Sequence, residues 1–153
     1  MFMSTDYKII TVNRQARRNY DIKERLLAGI VLEGHEVKSI RAGHVQLKGA
    51  YADFHGNELW LINAHISPYP PAKLSGYQPT RSRKLLLHRR QLDHVASVKQ
   101  AGQAVAVISL GLSGRMIKVE LGLGRGRKNR DKRELIKRRQ ADRDAARALT
   151  SRL

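Results

Sequence analysis

The apolar positions of this chain fall into short runs of either two-residue or helical period, with glycine-bearing turns between them. Ala50, Ala52 and Phe54 alternate with polar neighbours, a Gly56-Asn57 pair follows, and residues 58–66 resume the alternation, which predicts a β-hairpin. In its second strand Trp60, Ile62, Ala64 and Ile66 share one face, while Leu59 and Leu61 make the other apolar too. Further on, Ile117, Val119, Leu121 and Leu123 alternate with Lys118, Glu120 and Gly122, predicting a strand with one buried face, joined to its predecessor through a Ser113-Gly114 turn. Residues 28–32 are an apolar run of strand length.

Helical spacing occurs at three places in the body. Asn13 is suited to cap a short helix over 14–20 that shows Arg14, Arg17 and Arg18 to solvent. Residues 35–42 place Val37 and Ile40 inward and Lys38 and Arg41 outward, with Gly43 as the stop. Residues 89–101 offer Leu92, Val95, Ala96 and Val98 for packing before Gly102. All four prolines lie between 68 and 79, which predicts an exposed loop. Short strands interrupted by helices predict a mainly β fold with flanking helices, a small barrel of the OB type.

Charge adds a second region to that picture. The 153 residues carry a net charge of +17, and a charge that large seeks a polyanion, nucleic acid being the usual one. Residues 124–153 hold twelve Lys/Arg against four Asp/Glu, a net of +8, with few apolar residues among them. A helix from about Asp131 there has no continuous apolar stripe to dock on a core. The pattern predicts a barrel domain over 1–123 and a basic tail over 124–153 that folds when phosphate neutralises it. An anionic membrane is a poorer partner, because no segment pairs a basic face with a wide Leu/Phe/Trp face. Absence of cysteine, of a secretory leader and of any apolar run near the ~20 residues that cross a bilayer predicts a cytoplasmic protein.

Candidate chemistry is sparse. His35-Glu36 lacks the second histidine of a zinc protease, since position 39 is Ser39. Gly29 to Gly34 has the spacing of a phosphate-binding loop, but His35 and Glu36 follow in place of Lys and Ser/Thr. Gly122, Gly124 and Gly126 miss the dinucleotide fingerprint and are better suited to ending the last strand. The histidines at 35, 44, 55, 65, 88 and 94 show no metal-ligand spacing; His65 reads as a hydrogen-bonded structural residue and His88 as an RNA contact. No catalytic group, metal site or cofactor is expected. On charge alone, a constitutive ribosomal protein and a ribonuclease using His88 or His65 stay open beside an RNA adaptor.

Several blocks in order narrow this choice: Asn13-Arg14-x-Ala16-Arg17; Gly34-His-Glu36-Val37-Lys38-Ser39-Ile40-Arg41-Ala42-Gly43; His65-Ile-Ser-Pro68-Tyr69; Thr80-Arg-Ser-Arg83-Lys84-Leu-Leu-Leu-His88; and Lys118-Val-Glu-Leu followed by Gly124-Arg-Gly126-Arg-Lys128-x-x-Asp131-Lys132-Arg133-Glu134. With them the chain resembles the small protein B family, the SsrA-binding proteins of bacterial trans-translation. The resemblance implies an OB-like barrel that binds the tRNA-like domain of transfer-messenger RNA (tmRNA, the SsrA RNA). It also implies a tail that is disordered in the free protein and becomes helical in the decoding centre and empty messenger channel of the small ribosomal subunit. Alanyl-tRNA synthetase and elongation factor Tu would be indirect partners, and the protein a monomeric adaptor.

On the RNA-binding body the candidates are Arg14, Arg17, Glu36, Lys38, Arg41, Arg81, Arg83, Lys84, His88, Arg125 and Lys128; in the tail they are Arg130, Asp131, Lys132, Arg133, Lys137 and Arg138. Three places depart from the family pattern. Leu27 stands where an acidic or polar residue is common, Gly111-Leu112 where an aromatic pair is common, and Arg130 where an aromatic or histidine is common.

Overall fold

A computed structural model describes residues 6–69, 76–127 and 129–151, the last stretch partly as backbone alone. Its strands are β1 (Tyr7–Val12), β2 (Tyr20–Ile30), β3 (Val45–Gln46), β4 (Tyr51–His55), β5 (Glu58–Ile62), β6 (His65–Ile66), β7 (Arg83–Leu86), β8 (Ala104–Ser113) and β9 (Met116–Gly126). The helices are α1 (Arg14–Asn19), α2 (Gly34–Arg41), α3 (Arg89–Gln100) and α4 (Asn129–Ser151). Seven strands form one antiparallel sheet in the order β1-β8-β9-β2-β7-β5-β4. The sheet curls until β4 lies against β8, giving the expected mainly β, open barrel-like fold. β3 and β6 pair separately beside it.

The barrel encloses Leu26, Ala28, Leu59, Leu61, Leu85, Leu110, Val119 and Leu121, with Ile40 of α2 and Val95 of α3 packed into the same core. Aliphatic side chains do nearly all of this packing, as the low aromatic content requires. A second, smaller core lies under α1, where Ala16, Ala106 and Ile108 meet Tyr20 and Ile22. Asn13 does cap α1, its side chain accepting from the Ala16 N–H at 3.4 Å.

Several expectations need correcting. The strand expected over 58–66 breaks at Asn63, which sits at φ +66. This kink shifts the alternation by one residue: Leu59 and Leu61 are buried before it, Ala64 and Ile66 after it, and β6 leaves to pair with β3. The short run at 28–32 is the end of a strand that begins at Tyr20; a bulge between Ile22 and Glu24 and the polar trio Lys23, Glu24 and Arg25 hide its start. The β8–β9 turn is Gly114-Arg115, because Ser113 pairs with Met116. Finally, β9 has both faces covered: Glu120 is 1% exposed and Gly122 is buried against Ile22 and Ile108.

Of the β9 glycines only Gly126 stands at its end; Gly122 and Gly124 lie within it. A Cβ on Gly124 would stand 2.0 Å from the Asp21 carbonyl oxygen, so glycine is what lets the bulged part of β2 come close. Gly111 has the same role against the Lys8 carbonyl, at 2.3 Å, which gives a physical reason for glycine at that departure. In the tail, residues 129–151 form a helix that starts close to the expected Asp131, a form favoured by its Arg, Lys, Glu and Ala content. Its described side chains are exposed, including Ile136, and its main contact with the body is with α1.

Gly124→Ala should therefore cost about 1–3 kcal/mol, read as a lower urea midpoint at unchanged slope, whereas Gly126→Ala, with nothing within 4 Å of its Cβ, should stay within ~0.5 kcal/mol of the parent.

Candidate nucleic-acid interface

Two of the residues expected to touch RNA are inside the molecule. Glu36 and Arg83 are both 0% exposed and bound to each other, Arg83 donating from Nε at 2.8 Å and Nη2 at 2.6 Å to Glu36 Oε2. Arg81 adds a second guanidinium to the same carboxylate, and the Tyr77 hydroxyl donates to Oε2 at 2.9 Å. The Glu33 N–H donates to Oε1 at 2.9 Å, so Glu36 also closes the first turn of its own helix. Arg83 spends its remaining donors on the carbonyls of Ala64 (2.8 Å) and Pro79 (2.9 Å). With no exposed surface, neither residue can reach a phosphate directly. Sequence reading could not separate them from exposed cations because a family block records that a residue is needed, not which way it points.

The cluster fixes surface features instead. It ties α2 to β7 and to the returning end of the proline-bearing segment, whose residues 70–75 lie outside the description. At the other end of that segment Ser39 Oγ donates to the Ser67 carbonyl at 2.8 Å, and the Lys38 ammonium lies 5.5 Å from the centre of the Tyr69 ring. Burial would raise the Glu36 carboxyl. The hydrogen bonds from Arg81, the Glu33 N–H and Arg83 overcome it and hold the pKa down at about 2.

Beside α2 is a groove of about 470 Å³ between β2, the end of β7, the start of α3 and the β8–β9 tip. Its floor is apolar, with Leu27, Gly29 and Leu86; Leu86 is 48% exposed and Met116 at the rim 61%. Exposed apolar side chains grouped this way mark a binding surface more than a solvated one. The rim carries the cations Lys118 and Arg115, with the exposed His88 at the N-cap of α3 beside Arg89 and Arg90. Arg41 donates to the Arg115 carbonyl at 3.2 Å, which fastens the end of α2 to the β8–β9 tip. Lys84 lies on β7 and is engaged by Glu58 at 2.5 Å.

The candidate cations thus divide into two groups. His88 lines the groove, Arg41 is fastened to Arg115 at its rim and Lys38 lies on α2 over the Tyr69 ring, while Arg14, Arg17 and Arg18 are exposed on α1 at the root of the tail. Arg125 is there too, near Asp21 at 3.6 Å, and the Arg127 backbone N–H donates to the Asn19 carbonyl at 2.7 Å. In α4, Arg133, Lys137 and Arg138 are exposed; Lys128 and the side chains of Arg130, Asp131 and Lys132 fall outside the description. Sequence reading missed Leu86, Arg115, Met116 and Lys118, and marked Leu27 only as a departure from the family pattern. Nothing in Leu85-Leu86-Leu87 says that the middle leucine faces out, and Lys118 was taken as the polar half of an alternation.

His65 is exposed on β6, not buried as a structural residue would be, and His35 and His94 pair with Glu33 and Glu24. No group of metal ligands occurs among the described residues, and no described helix is long and apolar enough to cross a membrane.

Comparison with known proteins gives a consistent family. The description "SmpB protein" matches residues 10–151. An SsrA-binding protein of Trichormus variabilis is 49% identical over 148 residues, covering 95% of this chain and 96% of the relative. One from Chloroflexus aggregans is 47% identical over 147 residues, covering 95% and 93%. A solved structure described as "tmRNA-SmpB: a journey to the center of the bacterial ribosome" contains a similar chain with a TM-score of 0.64 and 38% identity, over 86% of this chain and 95% of that one.

Arg83→Ala would leave Glu36 without its buried partner and should cost about 3–5 kcal/mol in denaturant unfolding, against under ~1 kcal/mol for Lys84→Ala at the half-exposed Glu58 pair. Because the folded Glu36 pKa lies below its unfolded value, its stabilisation is complete above pH ~4.5 and fades as pH falls towards about 2. Glu36→Gln should flatten the stability–pH curve in that window; an unchanged slope would refute the assignment.

Proposed function

This chain belongs to the SmpB protein family, and from that premise we propose that it binds the tRNA-like domain of tmRNA and carries that RNA to stalled ribosomes for trans-translation. It is an adaptor and not an enzyme: the reactions belong to the ribosome and to the enzymes that charge the RNA. The observation that carries the reading is the groove on the barrel wall, with an apolar floor and a cationic rim. Cations on a rim neutralise phosphates. An exposed apolar floor takes the face of an unstacked base, which is how proteins recognise folded RNA loops. Leu27 widens that floor, so its departure from the family pattern favours base contact through dispersion and desolvation over a hydrogen bond.

The tail does a different task. Exposed along its described length and rich in cations, α4 is suited to a polyanionic channel and gains little from the body. In this reading Arg130, Asp131, Lys132, Arg133, Lys137 and Arg138 meet the decoding centre and the empty messenger channel of the small subunit, while Arg14, Arg17, Arg125 and Lys128 line the junction. Family coverage that continues through residue 151 supports treating the tail as part of the adaptor.

Ending the chain after Lys128 keeps β9 whole and should leave affinity for the tRNA-like domain within about twofold of the parent while abolishing tagging on stalled ribosomes. Full tagging by the truncated protein would refute the role given to the tail. Leu86→Ala should act the other way, weakening RNA binding by roughly tenfold, the loss of one base contact of ~1–3 kcal/mol, with little effect on stability.

A further inference from the structure

Between the groove and the root of the tail, the outer wall of the barrel carries a polar belt that the binding surface described so far does not use. It begins at the edge strand, where the Tyr7 hydroxyl lies 2.8 Å from Ser109 Oγ on β8. Ser109 Oγ donates to Glu120 Oε1 on β9 at 2.9 Å, and Arg25 Nη1 of β2 donates to Glu120 Oε2 at 3.4 Å. Ser109 is 0% exposed and Glu120 1%, so a carboxylate has been taken out of water in the middle of a sheet. Such a charge is tolerated only with hydrogen bonds and a counter-charge. The hydroxyl and Arg25 provide them, and burial pushes the Tyr7 phenol up to about 12.

Only one member of the belt reaches solvent to any extent as a cation. The Arg25 side chain is 48% exposed although its partner is buried. A guanidinium is a planar fork with five donors, so one edge can hold a carboxylate while the other offers N–H groups outward. Its position is also particular. Arg25 lies opposite Gly122, Leu27 opposite Glu120 and Gly29 opposite Lys118, which sets Arg25, Leu27 and Gly29 in one row on the outer face of β2. Leu27, Gly29 and Lys118 line the groove. In the other direction the same strand reaches Asp21, opposite Arg125, beside α1 and its arginines. Arg25 therefore stands about 13 Å along the strand from the Gly29–Lys118 pair and bridges the two cation groups.

We propose that Arg25 is a phosphate-binding residue of the RNA surface, and that Glu120, with Ser109 and Tyr7 behind it, is the positioning residue that aims it. The ligand class is a phosphodiester of the RNA backbone as it passes from the groove towards the tail root. This rests on the groove being the RNA surface, as argued above. Glu120 costs the surface one negative charge but removes the rotamer freedom that a free arginine would lose on binding. The belt then spans four adjacent strands, β1, β8, β9 and β2, so the aim of Arg25 is fixed by the barrel wall itself.

The test is the affinity of the full-length chain for the tRNA-like domain of tmRNA, measured as a function of salt at a temperature where far-UV circular dichroism shows every variant folded. Arg25→Gln, which can still donate to Glu120, should bind about tenfold more weakly and with a shallower salt slope. Glu120→Gln is the sharper variant, because it keeps the hydrogen bond to Ser109 and raises the net charge by one. A pure charge effect would tighten binding; loss of aim should weaken it by roughly threefold or more in spite of the added charge. Arg25→Lys, with the charge but not the fork, should not restore parental affinity. Parental affinity in Arg25→Gln, or equal or tighter binding by Glu120→Gln, would overturn the proposal. A parent chain that fails to bind this RNA would instead overturn the function on which it rests.

Discussion

The Glu36–Arg83 ion pair is the constraint from which the binding face follows. Two opposite charges without exposed surface are tolerable only with hydrogen bonds around them, and here these are shared among α2, β7, Ala64 just ahead of β6 and the residues that return from the proline-bearing segment. That requirement gathers four separate pieces of chain around one ion pair, some bonded to the Glu36 carboxylate and others to the Arg83 guanidinium. It fixes where α2 sits, and with α2 the positions of Lys38 and Arg41. Through the Arg41 bond to the Arg115 carbonyl it extends to the β8–β9 tip. Residues without surface can shape a surface this way.

A basic protein faces the problem that its own cations repel one another wherever they converge. This chain handles it in two ways. Around the groove the cations are spread over α2, α3 and the β8–β9 tip, with apolar side chains between them. On the barrel wall and at the tail root carboxylates interleave instead: Asp21 between Lys23 and Arg125, Glu120 under Arg25. The tail is a helix whose described side chains face solvent. The division of labour in the proposed function, a body that grips folded RNA and a tail that reads a channel, corresponds to this difference in how charge is accommodated.

Much of the fold was legible in the sequence where one face of an element is apolar and the other is not. Asn13, Gly43 and Gly102 mark helix ends correctly, and Gly56-Asn57 marks the hairpin. Reading failed where both faces are covered or where the alternation changes phase. Asn63 takes a left-handed conformation that no periodicity announces, and Glu120 looks like a solvated residue although the opposite face of its strand is packed too. The site divides along the same line. Lys38, Arg41 and His88 were legible as exposed basic or polar positions at element ends. Leu86 was not, because an exposed leucine in an apolar run looks like core. Glu36 and Arg83 were legible as important but not as buried, since the charge that makes them look like RNA contacts is cancelled internally.

The central claim is that RNA is held on the groove between β2, the end of β7, the start of α3 and the β8–β9 tip. Amide hydrogen exchange of the full-length chain, with and without the tRNA-like domain of tmRNA, tests it most directly. The account predicts protection concentrated at residues 27–31, 86–91 and 114–118, with no change around Phe54 and Lys99 on the far side of α3. Protection centred on Phe54 and Lys99, with the groove unchanged, would contradict it.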